Sequence, residues 1–202
     1  MVNIDFSYDS GIETKAIPTG WEDVTFRQYV ELLRAEHENE LPFEDRLRLR
    51  LVVLCGLDDD TIDQLPVNMI EHLAAMLLFS FNPNLIPYNV PDEWKDFDVA
   101  DLPWKKLIAV KLVTTPIMAK YQTTDELSDE EKSELSKKLF VELYMVGDVF
   151  AREFAGVEIL DKPVTEVHWM PAFFLPKFLS SSSNSLIWQI QIQESLQTST
   201  NH

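Results

Sequence analysis

The N-terminal residues alternate between apolar and polar side chains with a period of two. Val2, Ile4, Phe6 and Tyr8 share one face, which is the pattern of a half-buried strand. The residues that follow, up to Gly20, read as a loop and supply no hairpin partner. We therefore expect this strand to pair with a distant part of the chain or with another subunit.

The first predicted helix begins at a capping box. Thr25 can cap the helix, and Gln28, three residues on, can reach back to the Thr25 backbone. The helix is predicted to end near His37. Apolar residues recur along it at the spacing of one helix face, at Phe26, Tyr29, Val30 and Leu33.

Three more helices are predicted to follow. Residues Phe43–Cys55, with Gly56 behind them, read as a helix with a glycine stop. Residues 58–60 are all aspartate and begin a short helix that ends at Pro66. Residues 67–81 carry a broad apolar face and are predicted to form the central helix of the fold.

The second half of the chain begins with an irregular connection. Residues 82–91 contain three prolines and three asparagines, so we expect a subdomain boundary there. Residues 102–115 fit a buried helix or, by their Val and Thr content, a strand, and we predict a helix. Ser128 and Glu131 form a second capping box, which begins a long amphipathic pattern that runs to Phe154.

The last part of the chain has a different character. Residues 163–179 are apolar and broken by prolines, 180–183 are all serine, and 186–192 alternate as a strand does. The serines read as a flexible spacer, and this predicts an arm that orders against a partner subunit. A flap that covers the chain's own core is the alternative.

These elements predict a mainly α protein of five or six helices with short terminal strands or extended arms. The expected regions are an N-terminal helical region at 1–90, a second helical region at 91–162 packed on the first, and a C-terminal arm at 163–202. The predicted core consists of Phe26, Tyr29, Leu33, Leu51, Leu54, Leu73, Met76, Leu77, Leu139, Leu143 and Phe150.

Composition and charge limit the classes of function. The chain has 202 residues, an ordinary 46% of them hydrophobic, and a formal net charge of −17. Phosphate backbones and anionic lipids attract basic proteins, so we expect neither direct nucleic-acid binding nor membrane binding. The longest unbroken apolar run, at 73–79, is too short to span a membrane. A single cysteine and the lack of a leader-like N-terminus favour cytosolic synthesis.

Residues with catalytic or metal-binding potential are few and scattered. His72, His168 and Cys55 belong to no nucleophile or metal motif and are interpreted as structural, and no phosphate-binding glycine pattern occurs. Residues 58–60 with Asp63 lack the glycine and the bidentate glutamate of a calcium loop, and read as charges at a helix start. The prediction is a protein that is not an enzyme, with no catalytic residue, cofactor or metal.

Two groups of aromatic residues are candidates for contacts with a partner protein. One group is interleaved with acidic residues around 92–104, and the other, at 169–178, would form a large apolar patch if it were exposed. Packing of the rings inside the chain is the alternative for both. Together with the C-terminal strand, the candidate partner-binding residues are Trp94, Phe97, Trp104, Trp169, Phe173, Phe174, Phe178, Trp188, Ile190 and Ile192.

Three stretches carry a resemblance to a known group of proteins. They are 20–33 (GWEDVTFRQYVELL), 51–57 (LVVLCGL) and 62–66 (IDQLP). A tryptophan before a capped helix, then a leucine-rich helix, Gly-Leu, an acidic turn and Ile-x-x-Leu-Pro, resembles small helical virion and assembly proteins of tailed bacteriophages. Tail assembly chaperones and head–tail structural proteins belong to this group.

The resemblance implies a non-enzymatic role in the tail or neck of a virion. Its partners would be other phage structural or assembly proteins, in an oligomeric assembly located in the host cytoplasm. A tail assembly chaperone that is absent from the mature particle is one alternative. The other, based on charge alone, is an acidic mimic of DNA that inhibits a basic host protein.

Overall fold

The structure, a computed structural model, describes residues 1–8, 11–38, 41–121 and 127–181. The described chain is mainly helical, as predicted, with slightly more helices than the five or six expected. The strands are β1 (Val2–Tyr8) and β2 (Gly11–Ile17), and the α-helices are α1 (Phe26–Glu38), α2 (Phe43–Cys55), α3 (Asp59–Gln64), α4 (Val67–Met76), α5 (Trp104–Lys120), α6 (Asp129–Met145), α7 (Gly147–Phe150), α8 (Val164–Val167) and α9 (Trp169–Ser181). Short 3₁₀ turns lie at Trp21–Asp23, Leu78–Phe81, Pro83–Leu85, Asp92–Trp94 and Val99–Asp101, and a π-helical turn at Ala151–Ala155.

The chain folds into two compact units. Unit 1 consists of Met1–Pro87 and Asp161–Glu166, and unit 2 consists of Tyr88–Leu160 and the residues from Val167 onwards. The polypeptide therefore leaves unit 1 after Pro87 and returns to it for one short segment.

The returning segment is hydrogen-bonded to the start of α1. The Val164 N–H donates to the Val24 carbonyl at 2.7 Å, and the Phe26 N–H donates to the Lys162 carbonyl at 2.9 Å. These bonds satisfy backbone groups at a helix entry, where the first N–H groups have no partner within the helix.

Unit 1 begins with a hairpin, so the expected long-range pairing of the first strand is wrong. β1 and β2 pair antiparallel, in a register that places Phe6 opposite Glu13 and Ile4 opposite Lys15. Residues directly opposite each other share a face of the sheet, so β2 contributes Glu13 and Lys15, together with the buried Ile17, to the face that buries Phe6. The two charged residues on this face interrupt the alternation of apolar and polar side chains in β2, so the pattern does not reveal the strand.

The start of α1 and the end of α2 have the predicted local geometry. The Thr25 N–H donates to Gln28 Oε1 at 3.0 Å, and the Gln28 N–H donates to Thr25 Oγ1 at 3.3 Å, which is the capping box. α2 ends at Gly56, whose φ of 64° lies in the left-handed region. The Gly56 N–H donates to the Val52 carbonyl at 3.1 Å.

The predicted central helix at 67–81 is two elements. α4 ends at Met76, and a 3₁₀ turn follows. Within this stretch the large apolar side chains that are buried are Leu73 and Leu77. The Ser80 hydroxyl donates to the Leu77 carbonyl at 2.6 Å, a local bond that competes with helix continuation.

A buried arginine holds the 3₁₀ turn that follows α4. Arg50 of α2 is 3% exposed. Its guanidinium donates to Ser80 Oγ at 3.0 Å, to the Ser80 carbonyl at 3.1 Å and to Glu36 Oε1 at 2.6 Å. It also lies 3.9 Å from the centre of the Phe81 ring. The cation thereby joins α1, α2 and the 3₁₀ turn.

In unit 2 the predicted capping box starts α6. The Glu131 N–H donates to Ser128 Oγ at 3.3 Å, and the Ser128 N–H donates to Glu131 Oε2 at 2.9 Å. The predicted helix to Phe154 is interrupted near Gly147, since α6 ends at Met145 and α7 with its π-helical turn follows. Glycine is a weak helix former, which explains the break.

Most of the predicted core is buried. Leu33 and Met76 are half-buried instead. The nine buried members of the predicted set are Phe26, Tyr29, Leu51, Leu54, Leu73, Leu77, Leu139, Leu143 and Phe150.

The C-terminal region is folded from residue 163 to residue 181. Val164 is buried in unit 1, and α9 buries Leu175 and Leu179 in unit 2. The predicted arm therefore does not begin at 163, and the flap alternative applies to this part. The predicted strand at 186–192 lies outside the described residues.

Candidate functional site

Helix α5 has an exposed apolar row. Trp104, Ile108 and Leu112 are 66%, 39% and 71% exposed, and their four-residue spacing places them on one helix face. Val110 and Thr114 of the same helix are buried. α5 is thus apolar on the face that packs and on the face that does not. We call Trp104, Ile108 and Leu112 the docking row.

The docking row is flanked by lysines. α5 contains four lysines and no acidic residue, in a chain with a net charge of −17. Lys105 and Lys111 are exposed, and Lys111 Nζ lies 5.5 Å from the centre of the Trp104 ring, in cation–π range. Lys120 is paired with Glu142 at 2.9 Å. The surface of α5 is therefore apolar and basic.

The sequence predicts partner binding for one member of this row and burial for the other two. Trp104 was a candidate partner-binding residue, and it is exposed. Ile108 and Leu112 were assigned to a buried helix, and they face solvent. The four-residue spacing to Trp104 shows in the sequence that all three share one helix face, but it does not show that this face is exposed.

The second aromatic group forms a core rather than a docking surface. Trp169, Phe174 and Phe178 are buried, so their assignment as partner-binding residues is corrected. The Phe174 ring lies 5.4 Å from that of Trp94 and 5.1 Å from that of Phe97, close to edge-on in both cases. These rings pack inside unit 2 because α9 continues through Pro176 as one helix.

The remaining candidates are half-buried or undescribed. Trp94, Phe97 and Phe173 are half-buried at the edge of the same aromatic core. Lys177 Nζ donates to the Phe97 carbonyl at 2.7 Å and fixes this loop on α9. Trp188, Ile190 and Ile192 lie outside the described residues.

Three carboxylates at and near the start of α3 have hydrogen-bond or ion-pair partners within the chain. The Asp58 carboxylate accepts a hydrogen bond from the Thr61 N–H at 2.7 Å, which lowers the pKa of Asp58. Arg48 donates to Asp59 at 2.6 Å and to Asp63 at 2.7 Å, and it lowers the pKa of Asp63. These contacts account for the acids as helix-cap and ion-pair groups.

The half-buried His168 and the buried Cys55 have shifted pKa values. Burial lowers the pKa of His168 to about 4, and the Tyr144 hydroxyl is hydrogen-bonded to its Nδ1. Burial raises the pKa of the Cys55 thiol to about 12, which keeps it a thiol at neutral pH. Both groups lie among packed side chains, and this agrees with the structural roles predicted for them.

In the part of the chain that the structure describes, no three His, Cys, Asp or Glu residues are grouped as a metal site requires. None of the described helices is both long and apolar enough to cross a bilayer. Comparison of the chain with protein-family models, with curated proteins and with solved structures found no match.

Proposed function

We propose that this chain is a non-enzymatic structural or assembly protein of a tailed bacteriophage, which acts through protein–protein contacts in the virion tail or neck. The docking row is the observation that carries the part of the proposal about contacts. Tryptophan is one of the residue types that anchor protein interfaces, and Trp104 lies in an exposed row with two aliphatic side chains. The resemblance at 20–33, 51–57 and 62–66 supports the bacteriophage part.

The N-terminal strand gives this proposal no support. A strand without a local partner would have favoured strand exchange with a neighbouring subunit, but β1 pairs with β2. The proposal depends on a helix surface instead.

The test is mass spectrometry of virions assembled from a genome that encodes the chain. A component of the tail or neck is expected in purified particles in many copies. A tail assembly chaperone, the alternative within the same proposal, would copurify with unassembled tail proteins and be missing from the particles. A chain found in neither fraction would contradict the proposal.

A mimic of DNA is the second candidate, because a net charge of −17 could fill a basic groove. The described structure favours it less, since Asp59 and Asp63 are paired with Arg48 and the large exposed face of α5 is basic. Displacement of DNA from a basic host protein by the purified chain, lost in moderate salt, would favour this candidate.

A further inference from the structure

A second exposed apolar row, with acidic residues beside it, lies in unit 1 of the same chain. In unit 1 the exposed side of α4 presents Val67, Glu71 and Ala75 at the spacing of one helix face, and the exposed Leu78 follows in the 3₁₀ turn after α4. Val67 and Leu78 are among the most exposed large apolar residues of the described chain. We call these four residues, with Asp60 of α3, the acidic face.

The charge of the acidic face is opposite to that of α5. Asp60 of α3 and Glu71 of α4 are exposed, and α4 contains no lysine or arginine. α5 has lysines and no acid. An apolar row with basic flanks and an apolar row with acidic flanks are complementary in both respects.

The two rows also match in length. Trp104 and Leu112 are eight residues apart, which is roughly 12 Å along a helix at 1.5 Å per residue. Val67 and Leu78 are eleven residues apart, or roughly 16 Å by the same rise if the turn is counted as helix. Each row can therefore cover the other over about two helical turns.

We propose that the docking row binds the acidic face of a second copy of this chain. The docking row belongs to unit 2 and the acidic face to unit 1, so the contact joins two different surfaces and is head-to-tail. Such a contact leaves one free docking row and one free acidic face at the ends, and repetition builds a ring if the rotation closes and a filament if it does not.

The net charge of the chain opposes this association at long range and the local charges favour it at short range. Two copies of charge −17 repel each other, but salt at physiological strength screens charges beyond about 8 Å. The measurements therefore belong at physiological ionic strength. There the apolar rows and the adjacent lysine and acid pairs determine the free energy of contact.

The test uses purified full-length protein in analytical ultracentrifugation over a range of concentrations. The wild type is expected to form oligomers larger than a dimer as concentration rises. Leu112→Asp, on the docking row, and Leu78→Asp, on the acidic face, are each expected to be monomeric, with association weakened about tenfold or more. Ile12→Asp is the matched control, because Ile12 is 72% exposed on β2 and belongs to neither surface.

Mixing the two variants separates this contact from a symmetric one. Leu112→Asp keeps an intact acidic face and Leu78→Asp keeps an intact docking row, so the mixture is expected to form a one-to-one heterodimer that grows no further. If Leu78→Asp alone dimerises, the contact is between two α5 helices and the proposal is wrong. A wild type that is monomeric at every concentration also overturns it. Unchanged melting temperatures of the variants would show that they remain folded.

This inference rests on the proposed function only in assuming that the chain acts through protein contacts. It is measured on the purified chain, whereas the proposed function is measured on virions. The purified chain can therefore be monomeric although it is found in virions, or it can self-associate although it is absent from them, and the two experiments distinguish these outcomes.

Discussion

A buried guanidinium holds three segments of unit 1 together. Arg50 contributes hydrogen bonds to Glu36 and to both the side chain and the backbone of Ser80, and its removal would break all of them. The cation also covers the Phe81 ring. Among the residues described, this is a contact on which the path of the chain after α4 depends.

Replacing Arg50 is expected to destabilise the fold strongly. Arg50→Met keeps the apolar stem but removes the hydrogen bonds to Ser80 and Glu36, and should cost about 3 kcal/mol of unfolding free energy. Glu36→Gln is the matched control, since it keeps an acceptor for Arg50 and should cost about 1 kcal/mol. Urea denaturation followed by circular dichroism measures both. Equal stability of Arg50→Met and the wild type would show that the arginine is dispensable.

His168 gives the chain an expected pH dependence of stability. Its pKa is about 4 when folded and near 6.5 when unfolded, so between these values the unfolded state binds the extra proton. The stabilising contribution is complete above pH 6.5 and declines as the pH falls, reaching a loss on the order of 3 kcal/mol at pH 4.

The matched variant for this prediction is His168→Gln, which keeps a polar side chain and does not titrate. Urea unfolding from pH 7.5 to pH 4 should give a shallower loss of stability for His168→Gln than for the wild type. The slope is the relevant readout, because the substitution changes the absolute stability as well. Identical slopes would mean that other groups cause the acid sensitivity.

At the scale of elements, the stop at the end of α2 is set by one backbone conformation. A side chain at Gly56 would meet no atom within 4 Å, so the cost of adding one is the strain of a positive φ. Gly56→Ala should therefore lower the unfolding free energy by about 1 kcal/mol, and Gly56→Asn by less, because asparagine tolerates the left-handed region. Thermal melts of the two variants check the order, and a neutral Gly56→Ala would contradict it.

Elements that are bounded by local chemistry could be predicted from the sequence. The capping boxes at Thr25 and Ser128 and the stop at Gly56 involve residues within four positions of each other. The local sequence therefore contains all the residues that determine these helix ends. β2 and the turn at Leu78–Phe81 could not be predicted in this way. The conformation of β2 depends on its antiparallel pairing with β1. The turn at Leu78–Phe81 depends on Arg50, thirty residues before Ser80.

The candidate site was only partly predictable for a related reason. α5 is apolar on nearly all sides, and a pattern of that kind predicts burial on every face. Which face is left exposed depends on what packs against Val110 and Thr114, and the sequence of α5 does not contain that information. The aromatic residues of α9 were misassigned because two prolines argued against one continuous helix, whereas Pro171 lies in its first turn and Pro176 is accommodated.

At the scale of the whole molecule, the described cores do not extend beyond α9. Leu179 is buried and Ser180 is exposed, so truncation after Ser181 leaves every described buried side chain in place. The truncated chain is expected to keep its melting temperature, measured by circular dichroism, because the deleted residues would contribute to contacts with a partner. A melting temperature lower by several degrees would show that residues 182–202 stabilise the monomer.

The brief return of the chain to unit 1 has a consequence for synthesis on the ribosome. When the nascent polypeptide has emerged as far as Pro87, the partners of Val24 and Phe26 in the segment Asp161–Glu166 have not yet been translated. The entry of α1 must wait for another seventy or so residues, several seconds at roughly 5–20 residues per second. Unit 1, although it is encoded first, is therefore completed only after most of unit 2 has left the exit tunnel.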